Sequence, residues 1–127
     1  MPESITNIIA ALSKQLPAEL LKTKSLKSRS GQTANLTYIE WHTAVRILDK
    51  YAPGWSYEIR SVTPVGSSVV VVARISIPCA EGIVYREATG IEDEDLSGYG
   101  DPASNAEAMA LKRAASKFGL GLYLYRK

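Results

Sequence analysis

The chain has 127 residues, 46% of them apolar, and a formal net charge of +2, which describes one domain with a core of ordinary size and excludes a disordered segment. One cysteine, Cys79, excludes an internal disulfide framework, and one histidine, His42, leaves too few ligands for a Cys/His zinc site. No apolar run approaches the roughly 20 residues of a membrane span, and MPESITNIIAALSKQLP is not a secretory signal, so the expectation is a reducing, cytoplasmic setting away from membranes.

Ser4 is the expected N-cap of a short amphipathic helix carrying Ile5, Ile8, Ile9 and Leu12, interrupted by Pro17, after which PAELL opens a further turn. LLKTKSLKSRSGQTANLTYI predicts a β-hairpin, its connection SRSGQT holding Gly31 and other turn formers. EWHTAVRILDKYAPGW predicts a helix with Trp41, Ala44, Val45, Leu48 and Ala52 on one face, ended by Pro53 and Gly54. Three strands follow. WSYEIRSV places Trp55, Tyr57 and Ile59 on one side, SSVVVVARISIP reads as the central strand, and GIVYREATGI returns after the turn CAEG. Short turns between consecutive strands predict an antiparallel meander.

The last helix is expected to begin with Asp101 as cap and Pro102 at its first position. At about 100° per residue, Ala103, Ala106, Ala110, Leu111, Ala114, Ala115 and Phe118 share one face, on which Glu107 needs a partner or an edge position. Asn105, Lys112, Arg113 and Ser116 fall on the opposite arc, with Lys117 beside it. The expected architecture is α+β: an antiparallel three-stranded sheet with a packed C-terminal helix (a β-β-β-α core), preceded by a helix, a β-hairpin and a second helix, in one domain spanning 1–127.

The charges are unevenly distributed. Lys22, Lys24, Lys27 and Arg29 form one basic segment; Lys112, Arg113, Lys117, Arg126 and Lys127 form another; Glu92, Asp93, Glu94 and Asp95 lie between them. Two basic blocks far apart in sequence make one positive groove if folding joins them, and two solvated surfaces if it does not. Helix cations contact phosphates through charge without reading base sequence. Arg60, Arg74 and Arg86 sit one per strand and form a basic stripe if in register, the alternative being pairing with Glu58 and Glu87. Tyr38 and Trp41, like Tyr123 and Tyr125, stand near basic segments and are candidates for base stacking or for packing.

Catalytic signals are weak. His42 has no nucleophile in its sequence context and reads as structural. The acidic run is consecutive, whereas metal-nuclease carboxylates converge from separate elements, so neither a metal nor another cofactor is expected. There is no G-x-x-x-x-G-K-[ST] for ATP, and GLGLYLY follows a helix instead of opening one.

TYIEWH (37–42), the GW at 54–55, EGIVYREATGIED and ALKRAASKFGLGLYLY together resemble the Rad52/22 family of single-strand annealing and recombination-mediator proteins, including its short bacterial and phage members, over roughly residues 20–125. L-K-R-A-x-x-x-F-G is the most specific of these motifs. The resemblance implies a non-enzymatic protein that anneals complementary strands without ATP in recombinational DNA repair. It also implies a homo-oligomeric ring with single-stranded DNA in an outer positive groove, placed in the bacterial cytoplasm or, for a phage protein, that of the host. It assigns the inner DNA site to Lys112 and Arg113, puts Ser116 where a third cation is usual, with Lys117 next door, and leaves Arg29, Lys27 and Lys24 as alternatives for a hairpin cation. Trp41 stands where relatives often have Gly. A recombinase or a single-strand-binding protein is a further partner class, though no long tail follows Tyr125 to house such contacts. LGLYLY is expected to close a sheet edge or a subunit contact.

Rival readings are a double-stranded-RNA-binding-like module, which shares three strands and a basic last helix; a small metal-dependent nuclease using Glu92, Asp93 or Asp95 with Asp101; and a structural oligomer whose basic helix faces water.

Overall fold

A computed structural model describes residues 2–27, 31, 33–93 and 101–125, without the side chains of residues 26 and 27. Its elements run α1 (Ile5–Leu12), β1 (Lys22–Lys27), β2 (Thr33–Tyr38), α2 (Trp41–Tyr51), β3 (Ser56–Val65), β4 (Ser68–Cys79), β5 (Gly82–Asp93) and α3 (Pro102–Ser116), with short 3₁₀ turns at Ala18–Leu20 and Leu122–Tyr125. β1 and β2 form a separate antiparallel ribbon; β3, β4 and β5 form the antiparallel meander, with β4 in the centre. This is the α+β arrangement expected from the sequence.

β4 alternates strictly. Val69, Val71, Ala73, Ile75, Ile77 and Cys79 are buried on one face, against α3 and the α1–α2 layer. The opposite face, with Val70, Val72, Arg74 and Ser76, is only half-covered. Small side chains let α3 lie almost directly on the sheet. Ala106 and Ala110 pack against Val69, Val71 and Ala73, while Ala114, Ala115 and Phe118 join the larger cluster with Ile75, Ile77 and Ala88. The closest approach is at Gly90 of β5: a Cβ there would overlap the Ala106 carbonyl oxygen and stand 2.7 Å from the Ala110 nitrogen.

The caps follow the sequence. Asp101 accepts a hydrogen bond from the Ser104 N–H at 2.7 Å, and Ser4 accepts one from the Asn7 N–H at 3.1 Å. The Glu81 carboxylate, in the β4–β5 turn, accepts the free Ile5 N–H at 2.9 Å and fixes α1 to the sheet; that bond holds its carboxyl below the usual value. Glu107 lies at the edge of α3, where Tyr57 Oη donates to it at 3.1 Å. Burial first, then the Glu107 charge, pushes the Tyr57 phenol up.

Two local expectations change. Ala44, Leu48 and Ala52 face the core, but Trp41, at the first position of α2, is 52% exposed. Ile59, although exposed, keeps the face of Tyr57 as expected, opposite Ala73, and the β3–β4 register shifts only beyond it, between Ile59 and Ser61. The terminal LYLY is a 3₁₀ turn and pairs with no sheet edge; Gly119, at φ +107°, stops α3 and turns the chain back. From there Tyr123 Oη accepts the Leu16 N–H at 2.9 Å.

Gly90→Ala is expected to lower unfolding stability by about 3 kcal/mol or more in urea titrations, because the new methyl meets backbone that cannot rotate away. Wild-type stability in that variant would show that α3 does not rest on β5 in this way.

Candidate nucleic-acid interface

β2 runs out of the hairpin through Tyr38 and Ile39 directly alongside α3. Along one stripe of α3, Asn105, Met109 and Lys112 follow at i, i+4 and i+7, with Arg113 at the next position. Between these surfaces lies a cleft of about 470 Å³, lined also by Lys24 and Tyr125 and floored by Ile39, Leu120 and Leu124. Folding therefore brings Lys24 of the first basic block together with Lys112 and Arg113 of the second in one concavity.

Tyr38 is its centre. Lys24 Nζ lies 5.4 Å from the Tyr38 ring centroid and Lys112 Nζ 5.2 Å, both within cation–π range. Lys112 also donates to the Ile39 carbonyl at 3.1 Å. Its side chain is half-buried, and burial, followed by the Lys24 charge, holds its ammonium below the usual lysine value; Glu40 opposes the shift. Arg113 is exposed and donates to the Thr89 carbonyl at 3.1 Å, which aims its guanidinium across β5. Burial raises the Tyr125 phenol, with the Arg113 charge acting against it.

None of the remaining candidates whose side chains are described lines this cleft. Lys117 is turned toward β5, where it donates to the Glu87 carbonyl at 2.7 Å, and Ser116 is buried with its hydroxyl on the Arg113 carbonyl. Lys27 ends β1 and Arg29 follows it; the Lys27 side chain and all of Arg29 lie outside the described residues. The arginine stripe does not form. Arg74 pairs with Glu87 at 2.7 Å and Arg60 with Glu58 at 3.1 Å on the open sheet face. Arg86 points to the opposite face, stacking over Phe118 and donating to the Lys117 carbonyl. Alternation along the strands separates Arg86 from Arg74, while Glu58 on Arg60's own strand and Glu87 on β5 pair with the other two arginines. Trp41 stands outside the cleft lining, edge-on to His42, whose Nε2 lies 3.3 Å from Glu40.

Sequence reasoning missed Met109 and Glu92 as cleft residues, and the two backbone carbonyls that anchor Lys112 and Arg113. The i, i+4, i+7 spacing carried the signal for Met109; nothing local marks the carbonyls. Among the acids of the central run, Glu92 lines the cleft and Asp93 accepts from Ser68 at 2.8 Å, while Glu94 and Asp95 lie outside the described residues. Among the described residues no three His, Cys, Asp or Glu side chains converge on one point, and no helix is long and apolar enough to cross a membrane. The arrangement offers anion binding beside an aromatic face.

The family model described as Rad52/22 family double-strand break repair protein matches residues 5–127. The chain is 39% identical over 125 residues to DNA repair RAD52-like protein 1, mitochondrial, of Arabidopsis thaliana, covering 97% of this chain and 68% of the relative. It is 37% identical over 124 residues to DNA repair RAD52-like protein 2, chloroplastic, of the same plant, covering 97% of this chain and 61% of the relative.

The depressed Lys112 ammonium has a stability consequence. The folded state holds this proton less tightly than the unfolded chain, so wild-type stability gains from this group as pH rises from the depressed value toward the ordinary 10.5. Lys112→Met lacks that term. Urea midpoints of the two proteins are therefore expected to shift in favour of wild type as pH rises through this window; parallel profiles would show Lys112 to be freely solvated.

Proposed function

This chain belongs to the Rad52/22 family of double-strand break repair proteins, and on that premise we propose that it binds single-stranded DNA in the Lys24–Tyr38–Lys112–Arg113 cleft and anneals complementary strands without ATP. Membership carries a role in DNA repair by recombination. The observation that carries the finer reading is Lys112: a half-buried ammonium kept beside a second ammonium over one aromatic ring, its charge only partly offset by Glu40 and open to further stabilisation by an incoming anion. A phosphate relieves the Lys24–Lys112 repulsion, and Tyr38 offers the neighbouring base or sugar an aromatic face.

Pairing and stacking drive annealing, so the protein needs no fuel and acts as no enzyme in this reading. It holds one strand by its backbone, leaves bases outward and lowers the charge repulsion that keeps a second strand away. One cleft reaches only a few phosphates. Repetition around a homo-oligomer, a ring in our reading, multiplies weak contacts into tight, salt-sensitive binding. The open face of the β3–β5 sheet supports self-association. On it Ile83 is 72% exposed, and Tyr85, Ile91 and Val65 are exposed as well. The reading places the protein with DNA in an aqueous compartment, such as a bacterial cytoplasm; both plant relatives are named as organellar. A recombinase or a single-strand-binding protein is the partner class that follows for a mediator.

Lys112→Ala and Arg113→Ala are each expected to weaken single-strand binding about tenfold in fluorescence anisotropy, with the oligomer unchanged in size. Wild-type affinity in either variant would move the site elsewhere. In an ATP-free assay with complementary labelled strands, the wild type should accelerate pairing, with the effect fading as salt rises. Strands cut in a magnesium-dependent manner would replace annealing by nuclease activity, and a preference for duplex RNA would replace it by the double-stranded-RNA reading.

A further inference from the structure

A second cleft, of about 690 Å³, opens between the end of α1, the connector that follows it and α2. Its floor is aliphatic: Leu16, Leu20 and Ile47 line it, and each is only half-buried. Cations stand on both sides of that floor, Lys14 just past the end of α1, Arg46 and Lys50 one turn apart on α2. Among the described residues no carboxylate lines the cleft, and none of the three cations forms an ion pair. The acids of α2 and its cap are engaged elsewhere: Glu40 faces His42 and Lys22, and Asp49 accepts the Trp55 indole N–H at 2.6 Å.

We propose that this cleft docks an acidic, amphipathic segment of a partner protein. Its apolar side chains seat between Leu16, Leu20 and Ile47, and its carboxylates, on either flank, meet Lys14, Arg46 and Lys50. This goes beyond the DNA-binding reading and does not depend on it. The charge pattern selects acidic ligands, and the floor selects a peptide among them. Nucleobases carry polar edges that an aliphatic floor leaves unpaired, whereas Leu or Phe side chains lose nothing there. The Leu16 N–H is already bonded to Tyr123 Oη at 2.9 Å. The rings on the lining are engaged as well: Lys50 Nζ lies 5.3 Å from the Tyr51 centroid, and His42 meets Trp41 edge-on. Stacking platforms for bases need free aromatic faces. A groove between helices with apolar seats and a charged rim is the geometry that takes short amphipathic segments, and an acidic segment disordered when free suits it. Unpaired cations on the rim speed its encounter and fix its orientation.

The test is fluorescence anisotropy on the full chain, without DNA, using the labelled peptide Glu-Asp-Phe-Glu-Asp-Leu-Leu-Asp-Glu. A second peptide of the same charge carries Ser in place of Phe and both Leu. The first should bind about tenfold more tightly than the second, and Lys14→Ala/Arg46→Ala/Lys50→Ala should weaken it about tenfold. The charge-keeping variant Lys14→Arg/Arg46→Lys/Lys50→Arg should stay within about threefold of wild type. With benzoylphenylalanine in place of Phe, the peptide should cross-link to Leu16, Leu20 or Ile47. Equal binding of the two peptides, no binding of either, or wild-type binding by the alanine variant would overturn the proposal, as would cross-links that avoid the floor. Displacement of the peptide by a short oligothymidylate from Lys112→Ala/Arg113→Ala protein would overturn it in favour of nucleic acid. The DNA reading fails or stands separately, on single-strand binding by the single variants Lys112→Ala and Arg113→Ala.

Discussion

The architecture depends on how closely α3 rests on β5. At Gly90 the helix backbone occupies the space a side chain would need, and alanines at 106, 110, 114 and 115 continue that contact along the helix. Interiors this dense transmit position faithfully. The depth of α3 sets the height at which Lys112 and Arg113 emerge, and at that height they meet the carbonyls of Ile39 and Thr89. A larger residue at the contact would lift the helix and with it both cations, so the placement of the cleft charges is a packing result before it is an electrostatic one.

The electrostatics then act locally. The chain carries a net charge of only +2, and its outer sheet face is internally neutralised by Glu58 and Glu87 against Arg60 and Arg74. Cations without a carboxylate partner among the described residues gather around residues 38–43, where Lys24, Lys112 and Arg113 stand on one side and Lys14, Arg46 and Lys50 on the other. Concentrating charge in low-dielectric concavities makes each cation count for more than it would on an open surface, at the expense of folding stability, as the depressed Lys112 ammonium records.

Much of the fold was legible because local signals agreed with one another. Ser4 and Asp101 cap the helices they precede, the β-branched run at 69–72 became the central strand, and the two-residue turns gave the meander. Lys112 and Arg113 were legible as a pair through a motif and through helical phase. Trp41 misled because helical periodicity assigns a face without saying where the neighbouring layer ends, and the first turn of α2 projects beyond it. LYLY misled because alternation implies a strand only where a partner strand is available, and Gly119 turns the chain back over α1 instead.

The sequence by itself determined the order and type of the elements, the alanine face of α3 and the existence of two basic blocks, since propensity, capping and period act over a few neighbouring residues. Tertiary structure alone decided which cations share a cleft. Lys24 and Lys112 are 88 positions apart and meet over one tyrosine, whereas Lys112 and Lys117 are five apart and diverge. Five residues on a helix advance well past one turn, so near neighbours face different ways, while packing brings distant segments together by filling space, which no short stretch of sequence encodes.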